Sequence, residues 1–371
     1  MIVDPFKVEG QVDYNKLVSQ FGAQSITKEL IDRFERVTGH KAHRFLRRGI
    51  VISHRDLDLL LDHYEKEKPI YIYTGRGASS NSIHIGHYIP MSFTKYLQDV
   101  FNAKVVIQMT NDEKFLFKDL DMETVNKMTI ENIKDIIAIG FNPERTFIFD
   151  NINYIGKLYP NVLKIQKAFT INKLQSAFGF TNSDNVGKYS FPAIQMAPCF
   201  YTSFPKFLKE MKDGLCLVPQ AIDQDNYFRL VRDISQTLGY KKPVCIHTRF
   251  LPSLTSGDAK MSASSDTALY MDATKKQVQK AVNKAISGGG DTLELQRLHG
   301  ADLSKDIPYQ YLEIFLEDDN ELAEIGKLYS SGQMLTGDVK KRLIDVLVPI
   351  FEDFQEKRKS VEIEIFMNKE N

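Results

Sequence analysis

Two short strings in this chain contain residue types that handle nucleotide phosphates. The first is His84-Ile85-Gly86-His87, whose two imidazoles lie on one face if the string begins a helix. The free N–H groups and the positive dipole at a helix N-terminus favour an anion, so both histidines could donate to phosphate oxygens. Gly86 has no side chain, so an adenine ring can lie against the backbone there. Alone, an H-x-G-H string is a weak signal, because paired histidines on a helix more often pack or face solvent.

The second string is Lys260-Met261-Ser262-Ala263-Ser264, which follows a loop of small residues at 252–259. A lysine on a loop can offset the charge that develops on a departing pyrophosphate and then release it. The small residues after Met261 allow the backbone to approach closely. An exposed loop with an incidental lysine also fits this composition, but the first string upstream weakens that alternative. Together the two strings predict an attack on the α-phosphate of ATP.

The composition is that of an ordinary folded protein. The 371 residues suffice for two or three domains, and 43% hydrophobic with 26% charged residues argues against disorder. Forty-eight basic and 48 acidic side chains give a formal net charge of zero, so a polyanionic partner must be met by a local basic patch. Residues 40–48 (HKAHRFLRR) form such a patch, although a solvated basic surface explains them at least as well.

The cysteines and the hydropathy pattern indicate in which compartment the protein resides. The three cysteines, at 199, 216 and 245, are far apart and lack C-x-x-C spacing, so neither a disulfide framework nor a zinc site is indicated. No apolar run approaches the roughly 18 residues of a membrane span, and the amino terminus does not have the pattern of a signal peptide. We therefore expect a cytoplasmic protein with no membrane partner.

Apolar β-branched and aromatic runs alternate with helical patterns in the middle of the chain. Helices are predicted over 84–101, 124–139 and 226–238, and strands over 70–74, 104–110, 146–150, 215–219 and 244–247. This alternation predicts an α/β fold with a Rossmann-like parallel sheet, whose ligands gather at the carboxyl ends of the strands. Both phosphate-handling strings fall at such ends.

The chain on either side of this sheet has helical patterns. We divide it into an N-terminal helical segment (1–68), a Rossmann catalytic domain (69–273), and an all-helical module with a C-terminal helix (274–371). Within the last part, helices are expected over 275–286, 308–316, 320–329 and 337–367.

Further strings accompany the two signatures. They are YIYTGRG at 71–77, VIQMTNDEK at 106–114, SFPAIQ at 190–195 and AIDQD at 221–225. With them the chain resembles the class I aminoacyl-tRNA synthetases, and most closely the tryptophanyl-tRNA synthetases of eukaryotic cytoplasmic type, over nearly its whole length. The resemblance implies a Rossmann catalytic domain, a helical anticodon-binding domain and a homodimer.

The resemblance also implies roles for the matched residues. The residues expected at tryptophan are Tyr73 and Gln108 at the indole nitrogen, and Glu113, Gln195 and Gln224 at the α-amino and carboxylate end. Those expected at ATP are Arg76, Gly86, Asp223 (at the ribose hydroxyls) and Met261, with His84, His87, Lys260 and Ser262 as catalytic residues. The chemistry agrees, since indole N–H only donates and a hydroxyl or amide oxygen accepts. Singly, each residue has a structural explanation; as a set at the sheet ends they favour a site.

Metal binding by the protein itself is not expected. The sequence has no dense carboxylate cluster, so Mg²⁺ is expected to arrive with ATP, held by phosphates and water.

Two positions bear on the narrower resemblance. Tyrosyl enzymes of this class place an aspartate three residues after the position of Gln195, where this chain has Pro198, so a phenol would lose its acceptor. An unpaired buried hydroxyl costs about 1 to 3 kcal/mol, which favours tryptophan over tyrosine. In addition, Ala263 replaces the second lysine of the usual K-M-S-K-S pattern, a variant common in the eukaryotic tryptophanyl group that we do not take as inactivation.

The expected reaction has two steps. The carboxylate of L-tryptophan attacks the α-phosphate of ATP to give tryptophanyl-adenylate and pyrophosphate, and a ribose hydroxyl of tRNA(Trp) then accepts the acyl group. The alternatives are a tyrosyl-type synthetase, a tRNA-independent nucleotidyltransferase and a catalytically silent paralogue. The carboxyl-terminal helical module argues against the nucleotidyltransferase, and the retained His84, His87, Lys260 and Asp223 argue against the silent paralogue.

Overall fold

The computed structural model describes residues 2–3, 8–9, 12–255, 268–290 and 292–370. Its strands, in chain order, are β1 Ile2–Val3, β2 Val8–Glu9, β3 Gln24–Ser25, β4 Val51–Arg55, β5 Ile70–Arg76, β6 Lys104–Met109, β7 Thr146–Asp150, β8 Leu215–Ala221 and β9 Val244–Thr248. β1 and β2 form a separate antiparallel pair. The other strands form one sheet in the order β3-β4-β9-β8-β5-β6-β7.

Helices flank this sheet and make up the carboxyl-terminal part. In chain order they are α1 Tyr14–Phe21, α2 Lys28–Thr38, α3 Arg44–Arg47, α4 Leu57–Glu65, α5 Ile85–Phe101, α6 Asn111–Phe117, α7 Met122–Ala138, α8 Asn151–Ala168, α9 Ile171–Phe178, α10 Val186–Met196, α11 Asp225–Ser235, α12 Lys275–Asn283, α13 Leu293–His299, α14 Ile307–Phe315, α15 Asp319–Ser330, α16 Thr336–Arg358 and α17 Ile363–Met367.

The strands β9, β8, β5, β6 and β7 run parallel, which confirms the predicted Rossmann-like sheet. The predicted strands agree with the observed ones to within two residues at either end. Strand order reverses at β5: the chain moves outward to β6 and β7, and then returns to β8 and β9 on the other side. In open α/β sheets, ligands bind in the crevice outside the carboxyl ends of the strands at this reversal.

The central strands are buried on both faces, and the two faces differ in character. Because successive side chains point to opposite sides, Ile72 and Leu217 pack into a mainly aliphatic core that includes residues of α5 and α7. Tyr73, Val106 and Val218 pack on the other side, in a core rich in phenylalanine and tyrosine that includes residues of α8, α10 and α11. We call this second side the aromatic face.

Residues 12–68 are less purely helical than the sequence pattern indicates. Helices α1 to α4 are present, but β3 and β4 add two antiparallel strands at the β9 edge of the sheet. The polar residues of β4 (VISHR) mask a strand pattern. Ser53 and His54 can be buried because they have internal partners: Ser53 Oγ lies 2.9 Å from Nδ1 of His247, and His54 Nδ1 accepts from the N–H of Leu57 at 3.0 Å. Tertiary contacts, not local pattern, therefore determine this strand.

Every regular element in the described residues after 274 is a helix, as predicted. The pattern predicted as one helix over 337–367 is interrupted, because α16 ends at Arg358 and α17 begins at Ile363. Residues 355–360 (QEKRKS) contain no apolar side chain, so the buried stripe that would continue the helix is missing. α13 was not predicted.

The basic patch at 40–48 attaches the N-terminal segment to the helical module. Arg48 donates to the carbonyl oxygens of Glu313 and Leu316, at the end of α14, at 2.8 and 2.7 Å. Arg47 and Arg48 both bind Asp319, at 2.9 and 2.8 Å. Cations at a helix C-terminus pair with its carbonyls and its dipole. Arg47 and Arg48 therefore connect two parts of the chain. They form neither a solvated basic surface nor an open patch for nucleic acid.

The three cysteines lie in the interior of the protein. All three are unpaired and buried, and burial raises the pKa of Cys199 and Cys245. Among the described residues, no helix is both long and apolar enough to cross a membrane.

Candidate active site

The predicted site lies where β5 and β8 separate. Pairing between the two strands ends at Ile72 and Leu217, and Pro219, which cannot donate a backbone hydrogen bond, follows shortly after. β8 continues to pair with β9 as far as Ala221. The sheet therefore parts at its carboxyl edge on one side of β5, the strand where the order reverses.

Three of the predicted tryptophan-binding residues contact one another on the aromatic face. The hydroxyl of Tyr73 lies 2.5 Å from Oε1 of Gln108 and 2.7 Å from the carbonyl oxygen of Gln195. Tyr73 and Gln108 are both 0% exposed, and burial raises the pKa of Tyr73 well above its ordinary value. The hydroxyl therefore keeps its proton for one of these oxygens, and its own oxygen can still accept from a further donor.

A chain of hydrogen bonds fixes the amide of Gln108. Its Nε2 donates to Oδ1 of Asn151 at 2.8 Å and to the carbonyl of Ile194 at 3.2 Å, so Oε1 faces Tyr73. Asn151 in turn donates to Asp112 Oδ1 at 2.7 Å. Burial raises the pKa of Asp112 to about 6, although this hydrogen bond acts in the opposite direction.

Glu113 lies near the start of α6, just after β6. Its Oε2 accepts from the hydroxyl of Thr110 at 2.7 Å, and its Oε1 lies 3.0 Å from Nζ of Lys114. A Cβ atom at Gly77 would lie 2.3 Å from Cε of Lys114 and 2.5 Å from Oε2 of Glu113, so a larger residue there would displace these side chains. The carboxylate is thus held against the end of β5.

Asp223 and Gln224 lie in the turn between β8 and α11. Gln224 Nε2 donates to Oδ2 of Asp223 at 3.3 Å. The next residue, Asp225, receives hydrogen bonds from Nε and Nη2 of Arg55 at 2.9 and 2.7 Å, and its Oδ1 lies 3.0 Å from Nε2 of His247. Burial alone would raise the pKa of Asp225, but these contacts outweigh burial and lower it. The turn that contains Asp223 is therefore anchored to β4 and β9.

The two histidines of the first signature meet at the start of α5. His84 is the N-cap residue, and its Nδ1 accepts from the N–H of Gly86 at 3.1 Å. The ring centroids of His84 and His87 are 3.6 Å apart. The helix therefore begins where the sequence predicted, with both imidazoles beside its N-terminus, which attracts anions.

Arg76 ends β5. Its Nε donates to Oδ1 of Asn132 at 3.3 Å, whereas its Nη2 is buried and has no hydrogen-bond partner among the residues that the structure describes. Burial lowers the pKa of Arg76 to about 10, against the opposing effect of Glu113 and Asp135, so the guanidinium stays charged at neutral pH. A buried cationic donor of this kind suits a phosphate oxygen.

Helices α7 and α16 hold the loop that leads into α5. Asn132 of α7 donates to the carbonyl of Ser80 at 2.7 Å, and Asp135 accepts from the N–H of Ile83 at 2.8 Å. Arg358 of α16 forms an ion pair with the fully buried carboxylate of Asp135 at 2.5 Å. The position of His84 therefore depends on the carboxyl-terminal part of the chain.

The same helix holds the segment that follows the second signature. His84 forms an antiparallel bridge with Tyr270, and the N–H of Met271 donates to the carbonyl of Ile83 at 2.9 Å. Gln355 of α16 donates to the carbonyl of Met271 at 2.9 Å. Residues 268–271 thus lie directly against the first signature. Three predicted site residues lie outside the described part of the chain: Lys260, Met261 and Ser262.

The residues that support the site were not predicted from the sequence. They are Asp112, Asn132, Asp135, Asn151, Gln355 and Arg358. Asp112 and Asn151 come just after β6 and β7, so their place at strand ends was an available signal. Asn132 and Asp135 share one face of α7 through i, i+3 spacing, which is common on any helix. Gln355 and Arg358 lie far from their partners in the sequence, and no local pattern marks them.

Comparison with known proteins agrees with this geometry. A family model described as tRNA synthetases class I (W and Y) matches residues 65–352. The cytoplasmic tryptophan–tRNA ligase of Dictyostelium discoideum is 51% identical over 374 residues, covering 98% of this chain and 94% of that protein. The cytoplasmic tryptophan–tRNA ligase of Homo sapiens is 50% identical and covers 98% and 79% of the two chains.

Solved structures give the same result. The crystal structure of Plasmodium falciparum tryptophanyl-tRNA synthetase matches with a TM-score of 0.91 at 50% identity, covering 96% of this chain and 97% of that one. The Encephalitozoon cuniculi tryptophanyl-tRNA synthetase bound to tryptophan matches with a TM-score of 0.90 at 41% identity, covering 98% and 100%. The chain therefore belongs to the class I tRNA synthetases and, within them, to the family of cytoplasmic tryptophan–tRNA ligases.

Proposed function

We propose that the crevice at the carboxyl ends of β5 and β8 binds L-tryptophan on the aromatic face and ATP beside the start of α5. Two observations support this assignment best. Buried hydrogen-bonding groups surround Tyr73 on β5, and the paired rings of His84 and His87 lie at the start of α5, the helix that follows β5.

On the tryptophan side, the hydroxyl oxygen of Tyr73 accepts from the indole N–H. This follows from the proton count, because the hydroxyl gives its only hydrogen to a neighbouring carbonyl oxygen while its own lone pairs stay available. Gln108 fixes the direction of that hydroxyl. Glu113, Gln195 and Gln224 then bind the α-amino and carboxylate end.

On the ATP side, the cationic and small groups bind the nucleotide. Arg76 and Gly86 contact phosphate and adenine, Asp223 accepts from the ribose hydroxyls, and Met261 lies against the nucleotide. The catalytic residues are His84, His87, Lys260 and Ser262, which stabilise the charge that builds on the phosphates during attack.

The reaction is that of a tryptophan–tRNA ligase, and it uses ATP. The tryptophan carboxylate displaces pyrophosphate from the α-phosphate, and a terminal ribose hydroxyl of tRNA(Trp) then displaces AMP from the adenylate. Neither step needs a protein nucleophile. The contribution of this chain is to hold the two substrates in line and to offset developing charge.

Mg²⁺ is proposed to enter with ATP. Among the described residues, no group of three or more histidine, cysteine, aspartate or glutamate side chains could hold a metal ion, which fits a cation carried by phosphates and water. Such a cation offsets phosphate charge, while Arg76 and the two histidines orient the phosphates.

The remaining proposals concern the domains, the location and the assembly of the protein. We propose that residues 1–68, 69–273 and 274–371 are the N-terminal segment, the catalytic domain and the anticodon-binding domain, and that the protein acts in the cytoplasm. A homodimer is supported by apolar side chains exposed on α8: Ile152, Tyr159 and Leu163 are 39%, 51% and 47% exposed. Their spacing puts them on one helix face, as at a protein interface.

Amino-acid-dependent ATP–pyrophosphate exchange tests the proposal. We expect exchange with tryptophan, and exchange lower by at least about 100-fold with tyrosine or phenylalanine at equal concentration. Charging of tRNA(Trp) in the same preparation tests the second step. Exchange that is equal for tyrosine and tryptophan, or absent for both, would contradict the assignment.

A further inference from the structure

Gln220, near the end of β8, is a buried side chain with no hydrogen bond at either end. It is only 6% exposed, and neither Oε1 nor Nε2 has a partner among the residues that the structure describes. Burying an amide without partners costs free energy, and native proteins rarely leave both ends unsatisfied. Gln108, which is also buried, has partners at both ends.

The register of the sheet puts Gln220 at the crevice. Val218 packs on the aromatic face, so Gln220, two residues later, points to the same side as Tyr73 and Gln108. Ile72 pairs with Leu217, and the same register continued by three residues brings Gly75 level with Gln220. Gly75 in turn pairs with Gln108.

Two glutamines therefore flank a residue without a side chain. Paired strands are about 4.8 Å apart, and β5 and β8 no longer pair at this level, so the backbones of β6 and β8 lie at least about 10 Å apart across β5. Gly75 has no side chain, and Oε1 of Gln108 borders the space over it, 3.8 Å from where a Cβ atom would lie. A ligand group can therefore lie between the two glutamines.

Resting on the proposed function above, we propose that the amide of Gln220 binds the α-amino and carboxylate groups of the tryptophan substrate. A zwitterionic head group needs one acceptor for its ammonium and one donor for its carboxylate, and one amide supplies both. The indole supplies only a donor, for which the Tyr73 oxygen is available. The phosphates of ATP would instead bind to the cationic groups beside α5.

The position of Gln220 also favours the head group. Gln220 lies two residues nearer the carboxyl edge of the sheet than Val218. The turn that contains Asp223 and Gln224 follows directly. The tryptophan carboxylate must reach the α-phosphate, and Asp223 is the residue proposed at the ribose. A donor at Gln220 therefore lies between the indole site and the nucleotide.

The test is Gln220→Met, which keeps the length of the side chain and removes both polar ends. We expect KM for tryptophan to rise about 10-fold or more with KM for ATP changed less than about twofold, since a hydrogen bond to a charged group is lost. The melting temperature should stay equal or rise, because no native hydrogen bond is broken.

Gln98→Met is the matched control. Gln98 is also buried but has hydrogen-bond partners at both ends, with Nε2 donating to Thr146 at 2.8 Å and Oε1 accepting from the N–H of Asn142 at 2.9 Å. This variant should lower the melting temperature and leave both KM values unchanged. A purely structural role for Gln220 predicts the same pattern for Gln220→Met, and that result would overturn the inference.

Inhibition by tryptamine, which lacks the carboxylate, and by indole-3-propionate, which lacks the amine, identifies the group contacted. If Gln220 binds both groups, Gln220→Met should weaken each analogue less than it weakens tryptophan. Equal weakening of all three compounds would place the contact at the indole and refute the inference. Because the wild type is assayed beside the variant, failure of tryptophan-dependent exchange in the wild type would instead refute the proposed function.

Discussion

The proposed tryptophan side and the proposed ATP side of the crevice are built in different ways. The tryptophan side is a direct chain of side-chain hydrogen bonds from Tyr73 through Gln108 and Asn151 to Asp112, on one face of neighbouring strands. The ATP side brings together the start of α5 and residues 268–271, and α16 contacts the supports of both through Arg358 and Gln355. The first is local to the sheet, whereas the second depends on a helix of the carboxyl-terminal module.

This difference predicts separable responses to substitution. Changes within the chain of hydrogen bonds should affect tryptophan and leave ATP largely unaffected. Changes in α16 should affect the phosphate chemistry and leave tryptophan binding largely unaffected. The crevice would then combine a rigid amino-acid site with a nucleotide site that responds to the helical module.

The largest effect is expected for Lys260→Ala. Removing one group that stabilises transition-state charge typically lowers the rate by about 10²- to 10³-fold. Adenylate formation should slow by this amount while the dissociation constant of tryptophan stays within about twofold, as measured by single-turnover kinetics. Lys359→Ala, at an exposed lysine of the C-terminal part, is the control and should change neither value. Parallel losses in rate and tryptophan affinity would show that Lys260 also serves the tryptophan side.

Gln108→Ala should have the next largest effect. It removes one of the two oxygens that lie within hydrogen-bond distance of the Tyr73 hydroxyl and leaves Asn151 with an unused acceptor, so KM for tryptophan should rise about 10- to 100-fold. KM for ATP should rise much less, and steady-state exchange kinetics with each substrate varied in turn give both values. An equal rise in both constants would mean that the two sides are not separable.

Arg358→Met should lower the exchange rate by about 10-fold. It leaves the fully buried carboxylate of Asp135, which accepts from the N–H next to His84, without its cation, and breaking a buried pair costs about 3 to 5 kcal/mol of stability. Burial raises the pKa of Asp135 even with Arg358 present, and loss of the cation should raise this pKa further. Tryptophan affinity should not change.

Arg342→Met is the matched control on the same helix. Arg342 pairs with Glu321 at the surface, where an ion pair contributes at most about 1 kcal/mol. This variant should exchange at the wild-type rate. If both variants were equally active, the proposed dependence of the ATP side on α16 would be wrong.

The smallest effect on activity is expected for Asp112→Asn, which keeps an oxygen acceptor for Asn151. The pKa of Asp112 is raised from 3.8 to about 6 by burial. Because the folded pKa is above the unfolded one, the stability that this group contributes is fully present below about pH 4 and is lost as the pH rises through 6. The variant should therefore be more stable than the wild type at pH 7.5, by on the order of 2 kcal/mol, with little difference near pH 4. Urea unfolding at a series of pH values measures this, and a difference that does not vary with pH would contradict it.

The sequence predicted the parallel strands well because strands buried on both faces are nearly continuous apolar runs, such as KVVIQM in β6. β4 was missed because Ser53 and His54 are satisfied only by partners that the fold brings to them. The basic patch could not be interpreted locally either, because Arg47 and Arg48 have their acceptors at the end of α14 and at Asp319.

The site shows the same division between local and long-range information. Tyr73, Gln108 and His84 belong to recognisable strings in or just after the central strands, so the sequence could single them out as candidate site residues. Gln220 carries no motif signal, and only the sheet register and its unsatisfied amide single it out. Arg358 and Gln355 act through contacts between distant segments, which no spacing rule predicts.

The most direct test of the two-sided account is a fluorescence titration with tryptophan. The chain contains no tryptophan of its own, so the emission of the ligand reports binding without background. We predict equal dissociation constants for the wild type and for Lys260→Ala, and one about 10-fold or more weaker for Gln108→Ala. Equal weakening of both variants, or a Gln108→Ala variant that binds like the wild type, would contradict the account.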